Sequence, residues 1–315
     1  MEIRQLKYFV AVVDAGSLSR AAREVHVAQS ALSKQMAALE ADLGVQLFQR
    51  SNSGISVNES GRLFYEHAQG LLKHLRAARA AISSEPGALT GSIVVALPQS
   101  VASIVALPLI QAVARRHPKV ELQLNEELTG NLVEQLVRGR IDIALFSPFG
   151  LPPQVRFSPL LEEDFYLIHR ADDPQAPPPG AVTLAQAVAR PLVFPSRAHS
   201  HSTRACVDQA LERLQLPPAT VAMEVNSVHI LKSAVEAGVG PSIMPLNLAL
   251  REVAEGRLVA HAISPREVFR TLGICVCAAL PESNLRSTIA DLIAQLVRDM
   301  CRSGEWPATR LLPEP

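Results

Sequence analysis

Residues 17–40, SLSRAAREVHVAQSALSKQMAALE, constrain the fold more than any other stretch. They read as two short amphipathic helices separated by only a few residues. Leu18, Ala21, Ala22 and Val25 share one face of the first, and Leu32, Met36 and Leu39 share one face of the second. Among the apolar positions of the second stand Gln29, Ser30, Ser33, Lys34 and Gln35, side chains suited to base edges and phosphates. Such a helix, following a short helix and a turn, fits the DNA major groove. A solvated polar face on any surface helix has the same residue types, so the flanking segments must decide.

The flanks favour a DNA reader. A helix is expected from Glu2 to Ala15, with Leu6, Phe9, Val10 and Val13 on one face and Gly16 as its stop. Ser17 is placed to cap the second helix and also counts among the DNA-binding candidates. Gly44 ends the third helix near Asp42 or Leu43. VQLFQR and ISV then read as strands joined by Ser51-Asn52-Ser53-Gly54. Arg50 at the base of this hairpin is placed to reach a phosphate or the minor groove, and Ser53 at its tip joins the same set. Three helices and a hairpin make a winged helix-turn-helix over residues 1–58.

Asn58 is a candidate cap for a long helix reaching about Ser84. Phe64, Ala68, Leu71, Leu75, Ala78 and Ile82 recur at alternating steps of four and three along it. That is a coiled-coil seam, and it implies a second copy of the chain; packing against its own domain is the alternative. Glu85-Pro86-Gly87 breaks the helix, so residues 59–90 read as a linker, dimerisation helix and hinge.

From residue 91 the texture changes to strands alternating with helices. SIVVALP, VELQLNE, IDIALFS, FYLIHR, PLVFPS, VAMEVNS, PSIMP and FRTLGICVCAAL read as strands. Helices are expected at Ile104–Arg116, Asn131–Arg138, Arg204–Leu214, Val228–Ala237 and Ser287–Arg302. Alternation of this kind implies α/β architecture with largely parallel sheets. Residues 91–303 divide into one lobe of about 91–162 with 266–303 and another of about 163–265, leaving 304–315 as a tail. The Pro-rich DDPQAPPPG at 172–180 reads as a surface loop.

Composition narrows the function. A chain of 315 residues, 48% hydrophobic and 19% charged, has the make-up of a packed globular protein with two or three domains. No apolar run approaches the roughly 20 residues of a membrane span, and MEIRQLKYFV lacks the zones of a signal peptide, so a cytoplasmic location is expected. Cys206, Cys275, Cys277 and Cys301 are too few and irregular for a disulfide framework, and Cys275 and Cys277 read as small core residues. His199 and His201 in AHSHSTR lack a partner at metal-ligand spacing. Neither a metal, a cofactor nor a catalytic arrangement is expected. The charge is balanced, 30 basic against 30 acidic residues, and residues 1–60 hold six of each. DNA affinity must therefore come from local placement of charge and from pairing of copies.

LKYFVAVVDAGSLSRAAREVHVAQSALSKQMAALEADLGVQLFQR, followed by a turn and NESGRLFYEHA, resembles the LysR-type transcriptional regulators. HVAQSALSKQ and FYEHA resemble their nitrogen-assimilation-control branch most. This chain departs in having Ser30 where many relatives have proline, and Ala28, a poor N-cap, where they have a hydroxylated residue. The resemblance implies a dimer of dimers on an interrupted palindrome, contact with RNA polymerase, and a two-lobed effector domain like the periplasmic binding proteins.

In open α/β lobes ligands bind beyond the carboxyl ends of strands, where helix N-termini present free N–H groups. That rule selects Gln99, Ser100, Ser103, Thr129, Ser196, Asn226 and Ser227 as effector-binding candidates, with simple helix capping as the alternative for each. They suit a small polar or anionic molecule. An exported solute-binding protein or an α/β enzyme would each leave the first 84 residues unexplained.

Overall fold

The structure, a computed structural model, describes residues 1–51, 54–83, 89–196, 202–279 and 282–313. Two compact units are present, Met1–Gly91 with Arg138–Arg140, and Ser92–Val137 with Ile141–Pro315.

In the first unit, α1 (Ile3–Ala15), α2 (Leu18–Glu24) and α3 (Gln29–Leu43) precede an antiparallel hairpin of β1 (Phe48–Ser51) and β2 (Gly54–Val57). The long α4 (Glu59–Ser83) follows. Gly16 and Gly44 end α1 and α3 at φ +60° and +68°, a left-handed conformation that costs glycine nothing sterically. The Asn58 side chain accepts from the Gly61 N–H at 2.8 Å and so caps α4. Leu6, Phe9, Ala21, Ala22, Leu32, Met36, Leu39, Leu47 and Phe48 form the core. The expected face of α1 is corrected by one position, because Val12 is buried and Val10 and Val13 only flank it.

The seam on α4 also needs correction. Ala68 is fully buried and Phe64 packs edge-on to Phe9, with ring centroids 5.0 Å apart, so both belong to this unit's own core. Tyr65, on the same stretch, donates to Asp14 of α1. The start of α4 faces the three-helix core and cannot face a partner there. Only further along is the apolar face uncovered, with Leu71 49% exposed, Leu75 half-buried and Ala78 exposed. The Ile82 side chain lies outside the described residues, as does Glu85-Pro86-Gly87.

The second unit runs β3 (Gly91–Leu97), α5 (Gln99–Arg116), β4 (Val120–Glu126), α6 (Thr129–Val137), β5 (Ile143–Phe146), β6 (Val155–Arg170), α7 (Leu184–Ala187) and β7 (Leu192–Pro195). It continues with α8 (Ser202–Arg213), β8 (Val221–Val225), α9 (Val228–Glu236), β9 (Ser242–Pro245), α10 (Leu250–Ala254), β10 (Leu258–Ala262), β11 (Phe269–Cys277), α11 (Asn284–Ser303) and β12 (Thr309–Leu311). β6, 16 residues long, organises the whole. Its first half pairs with β11 and β12, and from Phe165 onward it pairs with β9 and β10, all antiparallel. β3–β5 and β7–β8 are parallel. The largely parallel sheets expected from strand–helix alternation are thus corrected to a mixed arrangement, because one strand passing through both lobes must take returning strands as neighbours.

Separate cores lie along this sheet, one around Leu132, Ile141, Phe146 and Cys275 and others around Phe194, Val207 and Ile243, and Ile168, Leu231 and Met244. Cys206, Cys275 and Cys277 are buried, and burial pushes the Cys206 thiol up to about 11 and the Cys275 thiol up to about 12. Such thiols stay protonated and pack as small apolar groups. Among the described residues, no helix is long and apolar enough to cross a membrane.

The segment set aside as a tail is folded. Trp306 is 1% exposed and β12 pairs with β6 at Leu161–Glu163. Trp306→Ala should destabilise the second unit by about 3–5 kcal/mol, the usual cost of emptying a large aromatic site. Urea unfolding followed by circular dichroism checks this; a change below about 1 kcal/mol would mean the end of the chain is dispensable.

Candidate nucleic-acid interface and effector cleft

The reading helix begins at Gln29. Ala28 occupies the cap position without a side-chain bond, and the Gln29 side chain accepts from Ser19 Oγ at 2.9 Å instead. α2 thereby braces the first turn of α3, while the Gln29 amide N–H groups stay available. Ser17 caps α2 by accepting from the Arg20 N–H at 3.5 Å. Leu32, Met36 and Leu39 are buried, which sets the rotation of α3. Gln29, Ser30 and Lys34 are exposed, with half-buried Ser33 beside them. Gln35 is half-buried and stands about a third of a turn from Lys34, on the far flank. The structure therefore brings four of the five candidates onto one face and separates the fifth. The Arg50 side chain and Ser53 lie outside the described residues, so the hairpin candidates cannot be placed on this surface.

In the second unit, α5, α6, α8 and α9 all open onto one cleft, with about 540 Å³ of empty space, part of it continuous with solvent. Pro98, Gln99, Ser100, Glu127, Thr129, Thr203, Asn226, Ser227, Met244 and Arg270 are among its lining. Five of the sequence candidates, Gln99, Ser100, Thr129, Asn226 and Ser227, meet there. Ser103 does not line the cleft; it is exposed one turn along α5, its hydroxyl donating to the Ser100 carbonyl at 3.1 Å. Ser196 is also off the wall, its N–H donating to the Val225 carbonyl at 2.8 Å to extend the β7–β8 pair. His199 and His201 lie outside the described residues.

Side chains tie the two sides of the cleft together. Gln99 Oε1 accepts from the Val228 N–H at 2.9 Å, joining the starts of α5 and α9. Asn247 Nδ2 donates to the Ser100 carbonyl at 2.7 Å. Arg270, buried on β11, donates to Ser100 Oγ at 3.0 Å and pairs with buried Glu163 at 2.6 Å. Glu163 accepts from the Trp306 indole N–H at 2.7 Å through its other oxygen. The positive charge in the cleft wall is thus matched from behind, and the Glu127 carboxylate lines the cleft as well. Strand-end topology could not single out Arg270; a charged residue within the apolar run FRTLGICVC was the available signal.

Residues 86–301 match the family described as the LysR substrate binding domain, and residues 3–62 match the bacterial regulatory helix-turn-helix protein of the lysR family. The chain is 34% identical over 250 residues to the nitrogen assimilation regulatory protein nac of Klebsiella aerogenes, covering 79% of this chain and 80% of that protein. It is similar to the crystal structure of full-length CbnR complexed with its target DNA, at 26% identity and TM-score 0.67, covering 96% of this chain and 100% of that one. Full-length OxyR from Pseudomonas aeruginosa shares the fold at 24% identity and TM-score 0.72, covering 95% of both chains. A helix-turn-helix unit and an α/β unit whose helix starts open onto a cleft of mixed polar and apolar lining fit a DNA-binding transcriptional regulator with an effector domain. The chain belongs to the LysR family of transcriptional regulators.

Removing Arg270 would leave Glu163 buried without its counter-charge. Arg270→Ala should destabilise the second unit by roughly 3–5 kcal/mol. Trp306 is the chain's one tryptophan and bonds Glu163, so its fluorescence during urea unfolding reports the loss directly. An unchanged transition would show that the pair bears no weight.

Proposed function

We propose that this regulator reads an interrupted palindrome as a homo-oligomer, each copy presenting α3 to one half-site. The observation that carries the reading is the run of exposed Gln29, Ser30 and Lys34, with half-buried Ser33, on the part of α3 that the buried stripe of Leu32, Met36 and Leu39 leaves outside the core. Gln29 suits adenine and Lys34 suits guanine in the major groove. Ser17, Arg50 and Ser53 are assigned to the DNA backbone around them. Gln35 is assigned a supporting place at the edge of the contact.

Pairing of copies is assigned to the outer part of α4. Leu71, Leu75 and Ala78 share a face there, and Ile82 continues the spacing. Balanced charge near the reading helix makes that pairing necessary, since a single copy has little net attraction for phosphate. A tetramer built from two such dimers, acting in the cytoplasm and touching RNA polymerase at the promoter, completes the reading; family membership supports it.

The cleft is assigned to a small polar effector. Helix starts and the hydroxyls of Ser100, Thr129, Thr203 and Ser227 supply hydrogen bonds, while Glu127 and the already paired Arg270 disfavour a strongly anionic ligand.

Lys34→Ala should weaken binding to a specific operator by roughly ten- to a hundredfold, and binding to unrelated DNA much less. Gel-shift titration at fixed salt measures both. Equal losses would reduce Lys34 to a phosphate contact and remove it from sequence reading.

A further inference from the structure

The second unit buries two imidazoles against each other, away from the cleft. His169 on β6 and His261 on β10 are 2% and 4% exposed. Their ring planes lie within 19° of each other with centroids 5.1 Å apart, and their Nε2 atoms are 3.0 Å apart, so the rings meet edge to edge through Nε2. On the outer sides, His169 Nδ1 lies 2.7 Å from the Arg170 carbonyl oxygen, and His261 Nδ1 lies 2.7 Å from that of Gly180. Gly180 ends the Pro-rich loop, so the pair joins two strands to that loop.

Counting protons decides the state of this cluster. A carbonyl oxygen only accepts, so each Nδ1 must carry a proton. The Nε2–Nε2 separation is a hydrogen-bond distance, and it needs one proton between two nitrogens. Three contacts therefore require three protons, whereas two neutral imidazoles carry two. With only two, a pair of buried lone pairs faces each other somewhere in the chain of contacts. With four, two N–H groups collide at Nε2. We propose that His169 and His261 form a buried site for one proton, which clasps the Pro-rich loop to β6 and β10.

The surroundings limit how much charge the pair can hold. Burial, the largest influence, holds His169 below the ordinary histidine range, opposed by its contact with the Arg170 carbonyl. Asp173 favours the charged ring, whereas His261 and Arg190 disfavour it. Asp173 and Arg190 are paired with each other at 2.8 Å, so their effects on the cluster largely cancel. Desolvation thus opposes charge on the His169 ring, and the Nε2 contact is the one feature that favours a single shared proton over none.

The consequences for stability differ in sign on the two sides of neutrality. An unfolded histidine titrates near about 6.5. The proton shared at Nε2 exists only where the two rings meet, so the contribution it makes is lost as pH rises and that proton leaves. A second added proton is resisted when folded, so stability is also lost as pH falls through the unfolded value. The clasp is strongest near neutrality and loosens in both directions.

The test uses the full chain with ¹⁵N-labelled histidine. At pH 7, NMR should find three of the four ring nitrogens of this pair protonated; two of four would overturn the proposal. Thermal unfolding from pH 5 to 9 supplies a second reading. The gap between wild type and His261→Asn should be largest near neutrality and fall by at least half toward pH 9, and a gap independent of pH would overturn it. Zinc that shifts the ring nitrogens at pH 7 and raises the unfolding temperature would also overturn it, by making the pair a metal site.

Discussion

The buried pair between Glu163 and Arg270 is the contact on which the second unit depends. It sits where β6 exchanges β11 and β12 for β9 and β10 as neighbours. Removing both charges from water costs several kcal/mol each, and only close geometry with further hydrogen bonds offsets that. The structure supplies both. One Glu163 oxygen takes the guanidinium and the other takes the Trp306 indole, while Arg270 reaches on to Ser100 at the start of α5. One carboxylate thus fixes the lobe-crossing strand, anchors the end of the chain and orients a hydroxyl in the effector cleft.

The first unit solves a different problem with one helix. The near part of α4 places Phe64 and Ala68 into the three-helix core and so holds α3 at its rotation. Further out, the same helix leaves Leu71 and its neighbours uncovered. Within the unit, the helix that holds α3 at its rotation is thus also the one that carries the apolar face proposed for pairing. The balance of six basic and six acidic residues in the first 60 gives that arrangement its purpose, because affinity has to come from two reading helices engaged together.

The helix-turn-helix was legible because its signals are local. A 3.6-residue stripe at Leu32, Met36 and Leu39, a glycine at position 44 and an asparagine at position 58 each act through near neighbours. Pairing partners were less legible. The heptad spacing of Phe64 and Ala68 could not tell a second chain from the domain's own core, since both bury the same face. α5 begins at Gln99, five residues before its expected start, with Pro98 in the cap position and Pro108 inside the helix. β6 was recognised only over FYLIHR; its earlier half, VRFSPLLEED, carries charges that pair with Arg266 in the loop before β11 and with buried Arg270. The effector residues divided likewise. Strand-end topology found Ser100 and Thr129, but Ser103 and Ser196 turn away by one step of helix or strand, and Arg270 comes from a strand far along the chain.

Footprinting of the purified full chain across chromosomal DNA tests the central claim, that paired copies read two half-sites, most directly. Two protected half-sites of related inverted sequence, separated by a fixed spacer and filled together as protein concentration rises, are the predicted result. Protection of isolated single half-sites, filled one at a time, would contradict it.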